Sequence, residues 1–305
     1  MASPAAPVLA AGLAATAFAF GAFAFEVGAA RAEPVEVIAP STMQTASSDV
    51  SRPEAVPEAV PRLDFEAPQT QPGPLVAIVI DDAGPDQVLT SRAIALPAAL
   101  TISILPYAEE ASRIDAEARN AGHETFLHLP MEPGGLADPG PHALTRHHSP
   151  AEWQARVRWS LAQVPGATGL NNHMGSALTA DRDAMRAILE PVAGTGLVFL
   201  DSVTSPRSRA RDAAHELDIR SLSRDIFIDH DDDPAVIGRQ LAAIEARARR
   251  DGRVVAIGHP RPATLDALEA WIPEAESRGL RFVTVSTLMA ETGSGETVRF
   301  AGGAQ

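Results

Sequence analysis

Two adjacent carboxylates, Asp81 and Asp82, directly follow six apolar residues, Leu75-Val76-Ala77-Ile78-Val79-Ile80. A Val/Ile-rich run with no polar alternation fits a central strand covered on both faces. Folds of the α/β type gather their functional groups at the carboxyl edge of such strands. Two partly desolvated carboxylates side by side repel each other, so they persist together only with something positive between them, a metal ion or a shared proton. For the pair by itself, an Asx turn or a helix cap is the plain alternative. Comparable groups follow four more apolar runs: His128 in His128-Leu129-Pro130-Met131-Glu132-Pro133, His173 in Asn171-Asn172-His173-Met174-Gly175-Ser176, Asp201 in Asp201-Ser202, and His259 in Gly258-His259-Pro260. Any one imidazole alone fits a hydrogen-bonded structural role. A barrel core layer, however, is built from Val, Ile and Leu, and burying Asp81, Asp82, His128, His173 and Asp201 without a counter-ion opposes folding. One divalent cation removes that conflict. The chain has no cysteine, so imidazole and carboxylate are the donors left to hold it.

The elements that must position these groups are legible in the same sequence. Strand-like runs cover residues 75–80, 100–105, 124–129, 168–171, 197–200, 219–228 with a break, 254–257 and 282–285. Helical patterns lie between them. Ser149-Pro150-Ala151-Glu152 is a capping box with proline at the first helical position, and it leads into Trp153, Val157 and Leu161 on one face. Asp233-Pro234 opens another helix with Ile237, Leu241 and Ile244 inward and Gly252 as its stop. Leu265, Leu268 and Ile272 mark a third apolar face. Strand and helix in alternation imply a mostly parallel sheet, and seven or eight repeats favour a closed or nearly closed barrel.

Taken together, Ile80-Asp81-Asp82-Ala83-Gly84, the His128 to Pro133 run, Asn172-His173-Met174-Gly175-Ser176, Phe199-Leu200-Asp201-Ser202 and Ile257-Gly258-His259-Pro260 resemble the divergent polysaccharide deacetylase family, a branch of the NodB-homology carbohydrate esterases. The resemblance covers residues 75–288. It implies a distorted (β/α) barrel of about seven strands and a divalent, zinc-type metal at the strand ends. It implies Asp81 as catalytic base, Asp82 as metal ligand and His128 as the first metal histidine. It also implies His259 as general acid and Asp201 as the aspartate that orients a catalytic group. The superfamily's second metal histidine, four residues on, is replaced here by Glu132. Either Glu132 ligates or His173 does; His173 is preferred, because two histidines and one carboxylate form a common catalytic zinc set. His173 stands where ordinary members carry a substrate-binding Arg-Pro motif. The implied reaction is hydrolysis of an N- or O-acetyl group from a polysaccharide or peptidoglycan-type glycan. The departures at Glu132 and at the Arg-Pro motif leave a second reading, an inactive, metal-stabilised carbohydrate-binding or scaffold module of the cell envelope. A third is a metal-dependent hydrolase of another acyl or amide bond.

The rest of the 305-residue chain frames this domain. Residues 1–32 are expected to be a secretory signal or membrane anchor: residues 4–25 are apolar, long enough to span a bilayer at about 20 residues, and Ala30-Arg31-Ala32 suits cleavage before Glu33. Either puts the remainder outside the cytoplasm, periplasmic or facing the periplasm, with the membrane engaged only through this segment if it is retained. Residues 33–73 read as a disordered Pro/Ser/Glu-rich tether, 74–292 as the domain and 293–305 as a tail. A net charge of −14, from 25 basic and 39 acidic residues, argues against sequence-independent nucleic-acid binding. Asp229-His230-Asp231-Asp232-Asp233 reads as a solvated loop capping the next helix, Asp225 as a residue that could reach the strand ends, and Asn172 as a further candidate beside His173. His142, His147, His148, His215 and His230 read as surface residues, and Trp153 and Trp271 as packing residues.

Overall fold

Hydrophobic runs too short for helices, separated by capped helical segments, fold into one parallel sheet wrapped by helices. The computed structural model describes residues 73–293; the expected leader, nearly all of the tether and the tail beyond Gly293 lie outside them. The strands are β1 Leu75–Ala83, β2 Thr101–Ile104, β3 Glu124–Met131, β4 Gly169–Met174, β5 Val198–Asp201, β6 Ser221–Ser223, β7 Ile226–Phe227, β8 Arg253–Gly258 and β9 Arg281–Phe282. The helices are α1 Gln87–Ile94, α2 Ala111–Asn120, α3 Pro150–Gln163, α4 Arg182–Leu189, α5 Ala210–Glu216, α6 Pro234–Asp251, α7 Pro262–Ser277 and α8 Val285–Thr292. The expected capping box at Ser149 and Glu152 is formed at α3, and Asp233 caps α6 by accepting from the backbone N–H of Ala235.

The strand order is β6-β5-β4-β3-β2-β1-β8-β7, with β9 paired to β1, and every pairing is parallel. The run at 219–228 is therefore not one interrupted strand. Its halves, β6 and β7, form opposite edges of the sheet, yet Ser223 and Ile226 are only three Cα steps apart, at most about 11 Å. The sheet must curl until its edges meet. At that seam Arg224 N donates to Asp201 O of β5, and Asp225 N donates to Val255 O of β8. The result is a distorted, nearly closed (β/α) barrel, in accord with the fold expected from the resemblance.

Alternation along each strand sorts side chains into two cores. Leu75, Ala77 and Val79 of β1, Phe126 of β3, Val198 and Leu200 of β5, and Val255 and Ile257 of β8 fill the barrel interior. Val76, Ile78, Ile80, Leu127, Leu129, Phe199, Val254 and Ala256 face outward beneath the helices. This explains the unbroken apolar run of β1, since both of its faces are covered. The lower mouth is closed by α8. The expected strand at 282–285 is cut short there: Thr284 accepts from Thr287 N as an N-cap, and Val285 starts the helix. Val285 N donates to Thr101 Oγ1 and Ser286 N to Glu124 Oε2, which also accepts from Thr101 Oγ1. Phe126 dominates the interior, and a Cβ added at Gly169 would lie 2.6 Å from its ring, so glycine is needed on the neighbouring strand. Phe126→Ala is expected to destabilise the protein by about 3–5 kcal/mol, measured as the shift of the urea unfolding midpoint at constant m-value.

Candidate active site

Side-chain parity carries the inner face of each strand up to its carboxyl end. Asp81 continues the inward series of β1, His128 that of β3, Asn171 and His173 that of β4, and His259 that of β8. Asp82 should by parity point outward. Instead the β1–β2 register shifts between Ile80 and Ala83, and Asp82 adopts φ 55°, a left-handed conformation that aspartate tolerates better than most residues. The bulge turns the second carboxylate inward beside the first. Gly84 follows at φ 125°, where a Cβ would lie 2.3 Å from that of Ala108.

The outcome is a triangle of donor atoms. Asp82 Oδ1 lies 3.1 Å from His128 Nε2 and 2.8 Å from His173 Nδ1, and the two nitrogens are 3.2 Å apart. These sides approach the edge of about 3.3 Å expected between ligands of a tetrahedral zinc at bond lengths of about 2.0–2.1 Å. Asp82 Oδ1 is buried and has no aligned hydrogen-bond donor, although two ring nitrogens crowd it. An oxygen and two nitrogens facing one point fit a divalent cation better than they satisfy each other. Burial opposes charge on Asp82, but the imidazoles of His128 and His173 override it and hold its carboxyl well below the usual range. For His128, burial favours the neutral ring, while the neighbouring Asp81 and Asp82 charges prevail and push its pKa up to about 9. Asp81 Oδ2 stands 3.7 Å from His128 Nε2. Its pKa is raised because burial outweighs the stabilisation from His128, His259 and Asn171.

On the opposite side of Asp82, His259 Nε2 lies 3.8 Å from Asp82 Oδ2. Its Nδ1 is 2.9 Å from Asp229 Oδ1, while Asp229 Oδ2 accepts from the His259 backbone N–H and from Thr264 Oγ1, each at 2.8 Å. Asp229 is wholly buried. Burial works against protonation of His259, but the bond to Asp229 wins and raises its pKa. Phe227 stands beside the imidazole at 5.5 Å between ring centres. Arg224 stacks on Phe227 and donates to the carbonyls of Ser202 and Val203, supporting Val203 at φ 51°.

A model of the divergent polysaccharide deacetylases matches residues 78–289. The chain belongs to the divergent polysaccharide deacetylase family. It is 34% identical over 197 residues to the uncharacterized protein YibQ of Escherichia coli K12, covering 65% of this chain and 62% of that one. The chain therefore spans less than two thirds of that relative. It is 37% identical over 195 residues to an uncharacterized Haemophilus influenzae protein, covering 64% and 70%. The crystal structure of the uncharacterized protein ATU2773 from Agrobacterium tumefaciens has the same fold, with 30% identity, a TM-score of 0.68, and coverage of 71% of this chain and 89% of that one.

Within this deacetylase-family chain, five of the residues singled out from sequence, Asp81, Asp82, His128, His173 and His259, converge. Four do not. Asp201 shares the outward parity of Phe199; its carboxylate accepts from Ser208 Oγ and Val203 N, and the aspartate bonded to His259 is Asp229. The loop reading of 229–233 is corrected accordingly: Asp233 caps α6, but Asp229 is buried in the site. Glu132 leaves β3 into an ion pair with Arg146, its Oε1 accepting from Nε and Nη2 and its Oε2 from the Arg146 backbone N–H, away from the donor triangle. Asn172 braces the neighbouring loop, donating to Met174 O and accepting from Ser202 N. Asp225 is turned to the β8 backbone and Arg247. Sequence reasoning gave no role to Asn171, although it stands two residues before His173 on the same face, and none to Asp229, whose charged neighbours disguised it. Zinc titration of the full chain should separate the donors: His173→Ala is expected to weaken binding by roughly 100-fold or more, as for loss of one of three donors, whereas Glu132→Gln stays within about threefold because no donor is lost.

Proposed function

We propose that this protein is a metal-dependent deacetylase that removes acetyl groups from a carbohydrate of the cell envelope or an exported glycan, reached by way of an export segment within residues 1–32. The observation that carries this reading is the donor triangle of Asp82, His128 and His173, with the carboxylate of Asp81 standing outside it on one side and the Asp229-backed His259 on the other. Two histidines and one carboxylate suit zinc. Such a cation supplies Lewis-acid polarisation of a carbonyl and acidifies water.

The chain's own residues account for the proton movements. Asp81 is the general base: its carboxylate accepts a proton from the attacking water as the water oxygen bonds to the acetyl carbon. Its raised pKa suits it to that exchange. His259 is the general acid. It delivers its proton to the amine or alcohol as the bond to the acetyl carbon breaks, leaving acetate and the deacetylated sugar. Asp229 holds that imidazole by Nδ1, leaving Nε2 toward the site, and stabilises the imidazolium before transfer. The Phe227 ring beside His259 offers an apolar wall to a sugar.

Acetate release from acetylated chito-oligosaccharides or peptidoglycan fragments tests the reading. Asp81→Asn is expected to keep zinc and lose about 10²–10⁴-fold in turnover. A zinc-loaded protein that frees no acetate from any acetylated glycan would overturn the deacetylase reading in favour of the scaffold module or a hydrolase of another acyl bond. His259 must be protonated to act, so the rate falls as pH rises through its pKa. Asp229→Asn removes the interaction that raises that pKa and should move the alkaline limb of the pH–rate profile to lower pH; an unmoved limb removes His259 from the acid role.

A further inference from the structure

Asn171 lies on the inner face of β4, wholly buried, and its amide is engaged at both ends. Nδ2 donates to Asp81 Oδ1 at 2.8 Å and to Ser202 Oγ at 3.1 Å. Oδ1 accepts from Ser103 Oγ and lies 2.9 Å from His128 Nδ1. The direction of this amide is not arbitrary. A carboxylate can only accept, so the end facing Asp81 must be the NH₂ group. The end facing His128 is then the oxygen, which also can only accept, so His128 Nδ1 must carry a hydrogen. In the neutral ring Nε2 is left bare, and Nε2 is the atom 3.1 Å from Asp82 Oδ1 and 3.2 Å from His173 Nδ1.

We propose that Asn171 is the positioning residue of this centre: through a single amide, oriented by Asp81, it fixes His128 in the tautomer whose Nε2 faces a cation and holds that ligand in register with the neighbouring carboxylate. The assignment rests on reading Asp82, His128 and His173 as cation donors, and it is independent of which acyl group is hydrolysed. Metal-binding histidines generally donate their other ring N–H to such an acceptor, and losing the acceptor weakens metal binding by about 10–100-fold.

The test uses the full chain with zinc as the probe. Competition against a chelating dye should show Asn171→Leu, similar in size but without an amide, binding zinc about 10–100-fold more weakly with an unchanged far-ultraviolet circular dichroism spectrum. Asn171→Asp returns an acceptor to His128 Nδ1–H, with a proton shared between its other oxygen and Asp81 in place of the amide N–H, and should recover affinity to within about threefold of wild type, which general damage to the strand would not allow. In zinc-loaded wild type labelled with ¹⁵N-histidine, His128 should show a slowly exchanging Nδ1–H that is lost in Asn171→Leu. This spectrum decides the matter should a variant fail to fold. Ligation of zinc by His128 through Nδ1, an unprotected Nδ1–H in wild type, wild-type affinity in Asn171→Leu, or no recovery in a folded Asn171→Asp would each overturn the assignment. Failure of the wild type to bind zinc would overturn the centre itself, and failure to release acetate would overturn only the deacetylase reading.

Discussion

The upper layer of the barrel interior is an electrostatic problem that the rest of the fold is arranged around. Below it, Val79, Phe126, Leu200 and Ile257 pack as a barrel core should. One residue higher on the inward series, the apolar layers give way to Asp81, His128, His173 and His259, with Asp82 turned in among them. Carboxylates and imidazoles held this close in a poorly solvated space shift each other's proton affinity, and the shifts of Asp81, Asp82, His128 and His259 trace to burial, to neighbouring charge and to hydrogen bonds, the bond to Asp229 foremost among those that raise His259. Such an arrangement is stable only while each group is oriented, and most of the polar residues nearby serve that end.

Orientation is achieved at the expense of backbone regularity. Asp82, Met174 and Val203, at or just beyond the carboxyl ends of β1, β4 and β5, all have positive φ, which disfavours each by roughly 1–3 kcal/mol. For the β-branched Val203 this is a marked departure, and Arg224 spans the turn with two hydrogen bonds to its carbonyls. Strain of this kind persists only on a scaffold that over-determines it. The opposite end of the barrel supplies that scaffold. There Glu124 joins β2, β3, α8 and Thr168, just before β4, and the residues of β1 are almost completely buried.

Much of the fold was legible because strand parity and helix caps are local signals. The apolar run of β1, the capping box of α3 and the Asp233 cap of α6 each depend on a few neighbouring residues. The same parity, applied to β4 and β5, distinguishes Asn171 and His173, which face inward, from Asp201, which does not. It could have found Asn171. It could not have found Asp229, because β7 is only two residues long and too short to show a period, and because Asp229 opens a run of charges that reads as solvated. The split of 219–228 into two opposite sheet edges was likewise illegible, since a local pattern carries no information about which strand becomes whose neighbour.

The family, the alternation of strands and helices, the absence of thiolate donors and the kinds of group that could hold a cation are all readable along the chain. These follow from residue type and short-range spacing. Tertiary structure alone decided which groups share a site: that Asp82 turns inward through a bulge, that His173 and not Glu132 completes the donor triangle, and that Asp229 and not Asp201 stands behind His259. Those outcomes depend on the register between strands and the curl of the sheet, which bring together residues far apart along the chain.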